Sequence, residues 1–181
     1  MAGPLPALLE LPHDRAGDPH VRWYPSWEAT LAEFGEAFPH GSGIGPDDRL
    51  VGLEACTAFV DDKLWYADPR AGLPADRVPC DYFWIIDGTE MIGFLALRLR
   101  LNDHLVDDGG HIGYSVRPSR RRRGHASRAL ALVLPRAREL GLDRVLLTCE
   151  QDNHGSRRTI EGAGGVLEDV RGGKRRYWIS V

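Results

Sequence analysis

The stretch from His111 to Gly141 constrains this chain more than any other. His111-Ile112-Gly113-Tyr114-Ser115-Val116 reads as a strand, a loop with four consecutive arginines (Arg120–Arg123) follows, and Gly124-His125-Ala126 opens a helix that runs to about Leu140 and closes on Gly141. The first turn of a helix has amides without intrahelical acceptors and carries partial positive charge. Gly124 and Ala126 let a bulky anion reach that backbone, so the segment reads as a cradle for a diphosphate. An arginine run alone equally describes a solvated face or a nucleic-acid contact, and a glycine at a helix start can be only a cap. The order strand, loop, helix favours the ligand.

Around this segment the pattern predicts an α+β layered fold rather than a repeating βαβ array. Residues 1–20, rich in Pro, Gly and Asp, read as an irregular arm with a short strand at Leu8–Leu11, and 21–181 as one domain. A first helix starts at Ser26 and carries Leu31, Phe34 and Phe38 until Pro39; a second is capped by Asp47 or Asp48 and runs to Ala67. Tyr82–Ile86 and Met91–Leu101 form a hairpin about Asp87-Gly88. Arg144–Cys149 is a strand, Ser156–Ala163 a helix, and Val166–Val170 with Arg175–Ser180 a terminal hairpin. The sum is a mixed, mostly antiparallel sheet of about six to seven strands flanked by helices.

The net charge of −3 conceals two unequal parts. Residues 1–116 hold 8 Lys and Arg against 19 Asp and Glu, whereas residues 117–181 hold 15 against 7. Such asymmetry suggests different partners for each part, something cationic for the first and something anionic for the second. No apolar run reaches the roughly 18–20 residues of a membrane span, and no secretory leader is expected at the N-terminus. Cys56, Cys80 and Cys149 lack disulfide or zinc spacing, and His40, His104, His125 and His154 lack ligand spacing, so no metal and a cytoplasmic setting are expected. Gly41-x-Gly43-x-Gly45 follows a helix rather than a strand, which disfavours a dinucleotide loop. Trp23, Trp27, Trp65, Trp84 and Tyr66 are assigned to core and cleft wall.

Arg121-x-x-Gly124-x-Ala126 resembles the acetyl-CoA motif of the GCN5-related N-acetyltransferases, Arg/Gln-x-x-Gly-x-Gly/Ala. The resemblance covers roughly residues 20–181 and extends to Leu146-Leu147-Thr148-Cys149 and to Asn153-x-x-Ser156. Leu101-Asn102 and Gly109 to Pro118 look closest to a bacterial subgroup of predicted acetyltransferases. The resemblance implies acetyl-CoA as co-substrate, held in a gap between splayed strands 111–116 and 144–149. Backbone groups of Tyr114 and Val116 would pair with the pantetheine, and Arg121, Arg122, Arg123, Gly124, His125, Ala126 and Ser127 would hold the pyrophosphate. Asn153 and Ser156 would contact the pantetheine from the other side; ordinary helix capping is their alternative.

The implied chemistry is direct attack of a neutral primary amine on the thioester, with the Val116 N–H as oxyanion donor. Two family positions depart from the pattern. Ile160 stands where many relatives place a tyrosine that protonates the thiolate, and Gly110 where many place a glutamate base. Tyr114 is the candidate acid, and His111 and Glu150 are candidate bases. Strand alternation sets His111 and Tyr114 on opposite faces. Cys149, ending an apolar strand, is expected to pack as a small hydrophobe. Glu28, Glu33, Glu36, Asp47, Asp48, Asp61, Asp62, Asp68 and Asp76 would border the acceptor, which points to a cationic small molecule. The rival reading is a non-catalytic acyl-CoA-binding or sensing module of the same fold; nucleic-acid and membrane partners are not expected, and a homodimer is compatible.

Overall fold

The computed structural model describes residues 8–10, 21–37, 39–45, 47–68 and 70–181. Phe38 and most of the N-terminal arm therefore lie outside the described residues. In chain order the elements are β1 (Leu8–Glu10), α1 (Tyr24–Phe34), α2 (Gly52–Ala67), β2 (Cys80–Asp87), β3 (Glu90–Arg98), α3 (Asp103–Asp107), β4 (Ile112–Val116), α4 (His125–Glu139), β5 (Arg144–Glu150), α5 (His154–Gly162), β6 (Val166–Arg171) and β7 (Lys174–Ser180).

The strands form two antiparallel sheets, ordered β1-β2-β3-β4 and β5-β7-β6. β2 and β3 are apolar on both faces, so the first sheet is covered on both sides. Phe83, Ile85, Leu95 and Leu97 turn toward α4, where Ala129, Leu130, Val133 and Ala137 form one helical stripe, and toward Val145, Leu147 and Tyr177 of the second sheet. Trp84, Ile86, Met91 and Phe94 turn the other way, onto Trp27 and Phe34 of α1 and Cys56, Phe59 and Val60 of α2.

Between the sheets β4 and β5 meet at one reciprocal contact. The His111 N–H donates to the Leu146 carbonyl (2.7 Å) and the Leu146 N–H donates to His111 Nδ1 (2.9 Å). Beyond it the two strands belong to different sheets, and a cleft of about 730 Å³ lies between them. The expected splay is thus a break between sheets.

Local differences from expectation have local causes. α2 starts at Gly52 rather than at Asp47 or Asp48, because the Asp48 carboxylate accepts from the Gly45 amide and closes a preceding turn. The short α3 was not expected; Asn102 caps it by accepting from the Leu105 N–H.

Candidate functional site

Three bonds show how β4 presents itself. Arg98 N–H donates to the His111 carbonyl and Arg117 N–H to the Ile92 carbonyl, so alternate residues 111, 113, 115 and 117 bond with β3. The intervening Tyr114 and Val116 direct their backbone groups away from β3, toward the cleft. The Val116 carbonyl takes one fixed partner, Arg121 Nε at 2.9 Å.

The loop after β4 opens with a 3₁₀ turn at Pro118–Arg120 and then bends through two left-handed residues, Arg122 (φ +59°) and Gly124 (φ +80°). For Arg122 that region costs about 1–2 kcal/mol, a strain the cradle shape imposes. Gly124, His125, Ala126 and Ser127 then line the cleft at the amide-bearing end of α4. Arg120, Arg121 and Arg122 line it too; Arg123, assigned to the same cradle, is exposed outside it. Arg121 lies over the Phe34 ring, its guanidinium carbon 5.9 Å from the centroid. His125 is buried, its Nδ1 beside Arg128 (2.9 Å) and its Nε2 3.7 Å from Asp87; burial pushes its pKa down.

On the core-facing side of the strand pair, Tyr114 reaches α5. Its hydroxyl lies 2.9 Å from Ser156 Oγ, and burial lifts its pKa to about 12. Asn153 caps α5 by accepting from the Ser156 N–H, and both residues also line the cleft, so capping and cleft lining coexist. Cys149 lines the same side, buried, with its thiol pKa raised by burial.

His111 does not line the cleft. Its ring is buried, Nδ1 is taken by the Leu146 amide, Trp178 packs against it, and burial pushes its pKa to about 4. It joins the two sheets, and the lone pair of Nδ1 is already engaged there. The same junction explains Gly110, with φ +62°: a Cβ there would sit 2.3 Å from the Leu146 carbonyl oxygen, so no glutamate fits. Ile160 is core, 1% exposed.

The opposite side of the strand pair is lined by Gly113, Ser115, Thr148 and Glu150, together with Phe34, Ala37, His40, Gly41, Gly43, Arg98, Asp108 and Lys174. Lys174 joins Asp108 (3.2 Å) to Glu150. Arg98 donates to the carbonyls of Gly109 and Gly110. Sequence reasoning missed Arg98, Asp108 and Lys174, which come from three separate stretches of the chain and share no local pattern. The acidic residues expected along this wall are not on it: Glu33 binds Ser119 and Arg117, Asp62 binds Lys63, Asp68 binds Arg70, and Glu28 accepts from Tyr24. Nor do the tryptophans form its wall; Trp27 and Trp84 are core. Buried Lys63 lies over the rings of Phe59, Tyr66 and Tyr82 and holds the Gly43 carbonyl at 2.8 Å, which fixes the loop of that wall.

Among the described residues there is no cluster of three or more metal-ligating side chains, and no helix is long and apolar enough to cross a membrane. A family model described as an acetyltransferase (GNAT) domain matches residues 6–166. No curated protein matches the chain. Among solved structures, the microcin C7 self-immunity acetyltransferase MccE, in complex with acetyl-CoA and AMP, is similar over 97% of this chain and 93% of that one, with TM-score 0.66 and 14% identity. Mycobacterium smegmatis RimJ in complex with CoA-disulfide matches over 98% and 88%, with TM-score 0.66 and 21% identity. A Salmonella typhimurium acetyltransferase that modifies the N-terminal serine of the 50S ribosomal subunit protein L7/L12 matches over 97% and 95%, with TM-score 0.62 and 14% identity.

Proposed function

The chain belongs to the GNAT family of acetyltransferases, and we propose that it transfers the acetyl group of acetyl-CoA to a primary amine by direct attack. The observation that carries this reading is the break between β4 and β5, with one strand edge turned into the cleft and the start of α4 beside it. Residues present there suit the co-substrate: extended backbone at Tyr114 and Val116 for an amide-bearing arm, and the turn Arg122–Ser127 for a diphosphate.

Acetyl-CoA supplies the activated acyl group. The Val116 N–H donates to the acyl oxygen as charge develops there. Tyr114, protonated through the neutral range, donates a hydrogen bond toward the departing sulfur, with Ser156 holding its hydroxyl in place. Glu150 is the candidate base that faces the acceptor wall, and it receives the amine proton directly or through water. The acceptor we propose is a small molecule with a cationic group, entering beside Asp108 and Glu150. The buried free thiols of Cys56, Cys80 and Cys149 suit a reducing compartment such as the cytoplasm.

The test is release of free thiol from acetyl-CoA across a panel of cationic, neutral and anionic amines and peptides beginning with serine. Turnover best with cationic small amines is expected. A best rate with a peptide or an anionic amine overturns the acceptor class, and tight acetyl-CoA binding with no turnover on any amine identifies a sensor instead. With the best amine, Tyr114→Phe is expected to lower kcat about 10²-fold and leave the affinity for acetyl-CoA within about twofold. An unchanged kcat removes Tyr114 from the chemistry.

A further inference from the structure

Arg117 directly follows Val116, and it is 6% exposed. Its guanidinium reaches out of the cofactor loop to two other elements: Glu33 of α1 (3.3 Å), Glu90 of β3 (3.0 Å) and Thr30 of α1 (3.5 Å). Glu33 takes two further bonds from the same loop, from the Ser119 N–H (3.0 Å) and the Ser119 hydroxyl (2.9 Å). Glu90 in turn also pairs with Arg120, which lines the cleft.

The helix held in this way ends at the acceptor wall. Phe34 is the residue after Glu33; it lines the cleft and underlies Arg121. The chain beyond it supplies Ala37, His40, Gly41 and Gly43 to the same wall, and Gly41 rests on the backbone of β4 at Gly113. One end of α1 is therefore fastened to the loop that takes the diphosphate, and its continuation shapes the place where the amine enters.

We infer that Glu33 and Arg117 are positioning residues through which occupancy of the cofactor loop sets the acceptor wall. The inference rests on the cofactor reading above. Neither side chain touches the reacting atoms. When the diphosphate fixes residues 117–128, the Glu33 carboxylate carries that order into α1, and residues 31–37 and 39–45 become less mobile before any amine arrives.

Amide hydrogen exchange with CoA itself as the probe tests this without knowledge of the acceptor. In the wild-type chain, saturating CoA is expected to slow exchange in 117–128 and also in 31–37 and 39–45, by about fivefold or more. In Glu33→Ala the protection of 117–128 persists, calorimetric CoA affinity stays within about threefold, and the protection of 31–37 and 39–45 is lost. Glu33→Gln, which still accepts from Ser119 but carries no charge for Arg117, falls between the two. Should Glu33→Ala fail to fold, Ser119→Ala removes the hydroxyl link alone and is expected to weaken protection in the α1 region selectively. Equal protection of that region in wild type and every folded variant overturns the inference, as does wild-type protection confined to 117–128. No CoA binding to the wild-type chain overturns the cofactor reading itself, a result distinct from both.

Discussion

At neutral pH the His111 imidazole is uncharged, because protonating it means placing a cation in a buried junction beside Arg98. Its pKa of about 4, against an ordinary value near 6.5, fixes a sign. The unfolded chain takes up this proton at a higher pH than the folded one, so the stabilising contribution is complete above about pH 6.5 and is lost as pH falls toward about 4. The loss amounts to about 3 kcal/mol at most. Urea unfolding is expected to show this slope in the wild-type chain and to lose it in His111→Asn, which retains an acceptor for the Leu146 amide. An identical slope in the variant would assign it to other groups. Residue by residue, the sequence distinguished the departures at Gly110 and Ile160, yet it could not see their reasons. Gly110 has no room for a side chain, Ile160 belongs to the core, and Tyr114 reaches α5 from the opposite strand. Such facts depend on which backbones approach across long separations in sequence, and no local pattern encodes them.

The loop Gly41–Gly45 shows the same point for elements. Its glycines resemble a phosphate loop only in spacing. In the fold, a Cβ on Gly41 would come within 2.2 Å of the Gly113 carbonyl oxygen, and its φ is +79°. Gly41→Ala is therefore expected to lift this loop from β4, destabilise the protein by about 2–3 kcal/mol, and raise KM for the amine more than for acetyl-CoA. Equal changes in the two KM values would contradict a role at the acceptor wall. Elements with strong periodicity were legible to within a few residues: α4, β5, and the terminal hairpin of β6 and β7. The elements misjudged were those whose ends are decided by a competing bond, as at Asp48 before α2, or by a single cap, as at Asn102 before α3.

For the molecule as a whole, several acidic residues of the first part of the chain partner basic residues of the second. Glu33 and Glu90 hold Arg117, Asp87 lies near Arg120 and His125, Asp81 meets Arg136, Asp107 meets Arg171, and Asp108 meets Lys174. Part of the asymmetry is therefore internal, while Arg121 and Arg122 line the cleft where a ligand would lie. Interleaved charges of this kind predict that raising NaCl from about 0.05 M to about 1 M lowers Tm by a few degrees, since attraction is what salt screens. Two segregated like-charged surfaces would show the reverse, a rise in Tm as repulsion is relieved. Calorimetry over that range separates the two.

The cleft is lined from both faces of the β4–β5 pair, so residues of the two faces share one volume. A group held along one face is then within reach of a group held along the other, and whatever fills the second face also shields the first from water.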